Sequence, residues 1–361
     1  MEDVFEIQES VSRKIVDALN VQLTSAEDRR IAENRIDNVQ AYDCYLRARH
    51  EYSRITQEGI EAALRYLDEG LAIVGPNALL YAAKGRAYLN LAIIDTFRHR
   101  ELLEICREWA EKVFELEPDS AGGHGLLGFV LHDLFETVEG IRHMERAYEL
   151  DPNDFDNLVF LCGSYGWSVG RHEKTSSLVA HLLERDGMNP FSLFMAGHCN
   201  LLMDRVHEAE RLIEKAYSMN PEAPNNRTAY AEMLASRGRT NEAIEILTPF
   251  EKAPMVHAWI TLGLILKYAL EGNRAKATEL VTEELEAAFR TDIMYAWKLA
   301  ERYALLGEKE KALSWLEIAI EGGFWNYGFL KSDPLLRDLQ GEPELDRLVE
   351  LAREKSKQLD V

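Results

Sequence analysis

The chain has 361 residues, 47% of them hydrophobic, with a formal net charge of −21 and a pI near 5.0. That hydrophobic share excludes a disordered chain. The acidic balance disfavours phosphate backbones and anionic lipid, so neither nucleic acid nor a membrane surface is expected as a partner.

Residues 4–23 place Phe5, Ile7, Val11, Ile15, Leu19 and Leu23 at helical spacing, which predicts an amphipathic helix. Residues 24–39 are polar and read as a linker. Residues 40–323 then read as an array of about eight helical hairpins. The first runs from Ala41 to Val74, with Tyr45 and Tyr52 on its first helix and Ala63 and Leu67 on its second. The second starts after Gly75-Pro76 and carries an insertion around residues 93–103. The third, residues 119–152, is closed by a proline, and Pro118 and Pro152 stand 34 residues apart. The fourth is irregular, with glycines at 163, 166 and 170. The fifth ends at Pro221 and the sixth at Pro254. The seventh contains Trp259, Leu262 and Gly263, and the eighth contains Ala300, Tyr303, Gly307, Ala312, Leu316 and Ala319. After Gly322-Gly323 the pattern breaks. Residues 324–361, ending in a charged helix after Pro343, read as a terminal cap.

A 34-residue period with these landmarks resembles the tetratricopeptide repeat. Small residues recur at repeat positions 8, 20 and 27, where neighbouring helices approach most closely: Gly128 and Ala147 in the third hairpin, Ala209 and Ala216 in the fifth, Ala300, Ala312 and Ala319 in the eighth. Large side chains fill the grooves between them. The resemblance implies an all-α, right-handed superhelical solenoid whose function is recognition rather than chemistry. A narrower resemblance sits at the start. Phe5-Glu6-Ile7-Gln8-Glu9, Lys14 to Leu19 and Ala41 to Arg49 are similar to the junction of bacterial proteins that join such repeats to a TolB-like domain behind a signalling or winged-helix output domain. Asp333 to Leu339 resembles their ending. This implies that the chain is the carboxy-terminal half of a longer signalling protein.

Little in the sequence points to catalysis. His172-Glu173 and His207-Glu208 lack the second histidine of a zincin motif, and the spacings of His124, His132 and His143 suit no common ligand pair. No metal and no cofactor are therefore expected. Gly163-Ser164-Tyr165-Gly166 is neither a nucleophile elbow nor a phosphate loop. Acid pairs such as Glu283-Glu284 read as solvated helix faces. Cys44, Cys106, Cys162 and Cys199 form no C-x-x-C pair and read as reduced, cytoplasmic cysteines. Met1 is followed by acidic residues, so no secretory leader is expected, and no apolar run reaches the ~18 residues of a membrane helix.

In this architecture the inner, concave face is lined by positions 2, 5, 9, 12 and 13 of each first helix. Those positions hold the aromatics Trp167, Phe194, Tyr268 and Trp297, which read either as anchors for a peptide or as core side chains tucked in by irregular repeats. They also hold His132, Asp133, His198, Asn225, Glu232, Lys267 and Glu301. The function expected is a scaffold or sensor binding a protein or peptide partner in its groove, not an enzyme. Two alternatives stand beside it: self-association that sets the oligomeric state of an upstream effector, and an α/α-barrel hydrolase. The hydrolase would require a deep pocket holding two acids with opposed protonation.

Overall fold

The computed structural model describes residues 36–359 apart from 55, 171 and 255–256, and the expected helix over 4–23 lies outside them. Among the described residues every regular element is helical. Seven hairpins follow in order: α1 Val39–Tyr52 with α2 Gln57–Val74, α3 Ala78–Ile94 with α4 His99–Leu116, α5 Ala121–Asp133 with α6 Thr137–Leu150, α7 Phe155–Ser164 with α8 His172–Asp186, α9 Pro190–Leu202 with α10 Val206–Met219, α11 Pro224–Ser236 with α12 Thr240–Leu247, and α13 Ala258–Leu270 with the pair α14 Arg274–Glu279 and α15 Glu283–Phe289. The eighth hairpin is α16 Ile293–Leu305 with α17 Lys309–Gly322, followed by α18 Tyr327–Ser332 and α19 Pro343–Ser356. The described residues form an all-α solenoid of eight tetratricopeptide-like hairpins. The insertion in the second hairpin lengthens both its helices and adds a 3-10 turn, Thr96–Arg98, between them.

The helices begin where the sequence supplies a cap. Asn38, Asn77, Asp154, Asn189 and Asp292 each stand in extended backbone and accept a hydrogen bond from a first-turn amide. Pro190, Pro224 and Pro343 occupy the first helical position, where a missing N–H costs nothing. Within a hairpin the helices touch through small residues. Gly128 of α5 meets Gly140 of α6 backbone to backbone, and a methyl on Gly140 would lie 2.6 Å from the His132 amide nitrogen. Gly307 turns the eighth hairpin with φ 72°; the same place in the third hairpin is taken by Phe135 at φ 71°, a conformation costly for a bulky residue.

Phe135 holds that turn because the array curls back on itself. Its ring lies against Gly322. Beside it, Thr137 Oγ1 donates to the Gly322 carbonyl at 3.0 Å, joining the third hairpin to the eighth across 185 residues. The expectation of one terminal cap over 324–361 is corrected in part. Helix α19 covers the last hairpin with Leu345, Leu348, Val349 and Ala352. Residues 324–339 instead run back along the inner side of the first helices. Asn326 Nδ2 donates to the carbonyls of Gly166, at 3.0 Å, and Leu202, at 3.1 Å. The Gly166 carbonyl lies in a π-turn, Tyr165–Val169, that ends the first helix of the irregular fourth hairpin. Phe324, Leu330, Leu336 and Leu339 are fully buried there, in one core that runs from the third hairpin to α19.

Candidate functional site

Among the described residues the inner side has two parts, one filled and one open. In the filled part the structure brings together five of the residues expected to face a partner: Phe194, His198, Glu232, Trp297 and Glu301, all buried. Trp297 is fully buried. Its ring stacks on Phe324 at 4.9 Å and meets Phe329 edge-on at 5.7 Å, and Nε1 donates to Asp333 Oδ2 at 3.1 Å. Phe194 packs on His198 at 4.5 Å and edge-on to Trp259 at 5.8 Å. These side chains are core. The segment 324–339 covers the surface they were expected to present.

Beneath that segment lies a buried charged network. Lys298 Nζ donates to Glu232 Oε2 at 3.0 Å and to Glu301 at 3.2 Å. Arg302 donates to Glu301 Oε2 at 2.9 Å, to Glu232 and to the Leu262 carbonyl. Burial opposes ionisation of Glu232, but the Lys298 and Arg302 charges hold its carboxyl down to about 2. Burial pushes Glu301 well above the usual carboxylate range, against the pull of Lys298. Burial, then Lys298, lowers His198 to about 4. Two acids with opposed protonation thus sit together. The space between them, closed by Phe329, Asp333, Pro334 and Leu335, is only about 20 Å³. That is about the room one water molecule needs.

The other expected residues lie apart. Lys267 is buried and pairs with Glu251 at 3.0 Å and Glu271 at 2.6 Å, and Tyr268 Oη donates to the same Glu251 at 3.1 Å. Asn225, at the start of α11, donates to Asn226 at 3.3 Å. Trp167 is half-buried against the core. His132 and Asp133 end α5 and meet His99, whose Nε2 is 3.3 Å from Asp133 Oδ2; His132 Nδ1 is 3.5 Å from Asp133 Oδ1 and its Nε2 is 2.8 Å from Ser168 Oγ. Burial opposes protonation of His99, but the Asp133 carboxylate raises it to about 9.

Sequence reasoning did not single out Lys298, Arg302, Asn326, Asp333 or His99. Lys298 and Arg302 carried a signal: two cations about one turn apart, with Glu301 beside Arg302, in a mostly apolar α16.

Among the described residues, the open part lies over the first three hairpins and the start of the fourth. Tyr42, Tyr45, Tyr52, Arg49 and Arg86 face Asp154 and Asp156 across a cavity of about 630 Å³. The Arg49 guanidinium lies 5.7 Å from the Tyr45 ring. Arg86 is buried, 3.3 Å from Asp156 and 5.0 Å from the Phe160 ring, and its Nη1 has no hydrogen-bond partner. Acids outnumber bases along the walls, with Glu117, Asp119, Glu149 and Asp151 against Arg146. Among the described residues no helix is long and apolar enough to cross a membrane.

No protein-family profile matches the chain. A stretch of 157 residues, 42% of this chain, is 27% identical to the transcriptional regulator HilA of Salmonella typhimurium and 26% identical to that of Salmonella paratyphi A. The match spans 28% of the length of those curated relatives. Among solved structures, a tetratricopeptide repeat protein from Parabacteroides merdae aligns over 77% of this chain and 99% of its own at 11% identity, with a TM-score of 0.45. Yeast Tom70 aligns over 81% and 62% at 16% identity, with a TM-score of 0.42.

Proposed function

We propose that the chain is a protein-interaction module that seats an extended segment bearing a basic side chain in the groove between its first three hairpins and the start of the fourth. The observation that carries this reading is the contrast between the two parts of the inner face. Among the described residues, one is filled by the chain itself, and the other is a cavity lined by tyrosines and by more acids than bases. Tyrosines provide large, stiff contact area at small entropic cost, and the acids draw a cation. The net charge of −21 favours the same partner at long range. The likeness to part of a transcriptional regulator, and the resemblance of residues 5–19 to a junction, support a place in a longer signalling or regulatory protein of the cytoplasm.

Short labelled peptides that differ only in a central lysine or glutamate test the site by fluorescence anisotropy. The lysine peptide is expected to bind, more weakly at high salt and more weakly to Tyr45→Ala and Asp154→Asn. Asn keeps the helix cap that Asp154 provides to the Asn157 amide. Equal binding of the two peptides, or binding indifferent to both substitutions, would falsify this reading.

A further inference from the structure

We propose that His99, Asp133 and Asp292 form a binding site for a first-row divalent cation that ties the second and third hairpins to the eighth. The three donor atoms lie within 4.8 Å of one another, and each comes from the boundary of a different helix. His99 opens α4 just after the inserted 3-10 turn, Asp133 ends α5, and Asp292 caps α16. Nothing in the 34-residue period places these three together; the curl of the array does.

The histidine is set as a ligand. It is 4% exposed, and its Nδ1 is 3.0 Å from the Ala92 carbonyl, which fixes the proton on that nitrogen and aims Nε2 at the two carboxylates. Nε2 has no hydrogen-bond partner: Asp133 Oδ2 stands 3.3 Å away without the alignment of a hydrogen bond. Donors about a tetrahedral ion at ~2.0–2.2 Å are themselves about 3.3–3.6 Å apart, so this separation already suits two ligands of one ion. The carboxylate is held from behind. Asp133 Oδ1 faces His132 Nδ1 at 3.5 Å, and His132 Nε2 is fixed on Ser168 Oγ at 2.8 Å. Outer partners of this kind orient metal ligands.

The charges call for a cation. Asp133 sits at the last position of α5, where the helix carbonyls already concentrate negative potential. Asp292 brings a second carboxylate to the same place. In the ion-free chain a proton on His99 supplies one positive charge; a dication supplies two and displaces that proton. One imidazole and two carboxylates suit zinc, cobalt or manganese(II) better than magnesium or calcium, which prefer oxygen alone. Both aspartates are only partly buried, so water can complete the shell.

The test uses the full chain, stripped with a chelator and titrated with zinc chloride by calorimetry in two buffers of different ionisation heat. Saturable one-to-one binding with proton release is expected, at least about tenfold weaker in Asp292→Asn. Asparagine keeps the cap on the Tyr295 amide, so this variant stays folded while one charged ligand is lost. A rise in melting temperature with zinc, absent in Asp292→Asn, is expected alongside. No saturable binding, or equal binding by the two chains, overturns the proposal and leaves His99 as an imidazolium paired with Asp133.

Discussion

Trp297 and Glu232 show what a side chain does when its surface is covered by its own chain. Trp297→Ala empties a fully buried site and strips the indole partner from Asp333. It is expected to cost about 3–5 kcal/mol, at least as much as Trp259→Ala, in denaturant unfolding of the two variants. Glu232→Gln removes the carboxylate shared by Lys298 and Arg302 and leaves two buried cations under-compensated. A loss of about 3–5 kcal/mol is expected by the same measurement. His198 gives the fold a pH dependence. Its folded pKa is lowered to about 4 by burial and then by Lys298, so between pH 6.5 and about 4 the unfolded chain binds the proton and the folded chain does not. Stability therefore falls as pH falls through that window, by up to ~3 kcal/mol. His198→Leu is expected to flatten this part of the profile; a profile unchanged by the substitution would show that other groups set it. The register of the repeat could be read from single residues, and it assigned Phe194, His198, Glu232, Trp297 and Glu301 to inner positions. Whether an inner position meets water or protein depends on what lies opposite, and no spacing within a helix carries that information.

The hairpin is the element that the sequence specifies most fully, because its determinants are local. Caps at Asn77, Asp154 and Asp292, prolines at first positions, and small residues where helices cross all lie within a few dozen residues of what they organise. One close crossing is Gly128 on Gly140. Gly140→Ala places a methyl 2.6 Å from a backbone nitrogen, which only separation of α5 and α6 can relieve. A loss of about 1–3 kcal/mol is expected, read as a lower thermal midpoint. A midpoint equal to wild type would mean that the two helices part freely. Residues 324–339 were harder to read. They lack the hairpin landmarks, and their apolar residues suit an end cap as well as a groove. Only Asn326, with an amide that bonds two carbonyls in the fourth and fifth hairpins, distinguishes the two.

On the scale of the molecule, the filled groove and the closed curl are one feature. Asn326→Ala leaves the Gly166 and Leu202 carbonyls without their donor, in a place water does not reach. A cost of about 1–3 kcal/mol per lost partner is expected, with faster amide exchange across 324–339. Exchange unchanged there would show that the apolar side chains alone hold the segment. Repeat landmarks report nearest neighbours, and the accumulated curvature that brings the third hairpin to the eighth is a sum of small rotations that no single landmark records. A linear solenoid unzips from its ends, hairpin by hairpin, because each unit is held only by the next. Here the bond from Thr137 to Gly322 makes the stretch between them a loop with no free end, and fraying that reaches α17 from the carboxy terminus must break a contact 185 residues long. Pulled at its two termini, such a chain resists as a clasp does, holding until the closure fails and then yielding six hairpins at once.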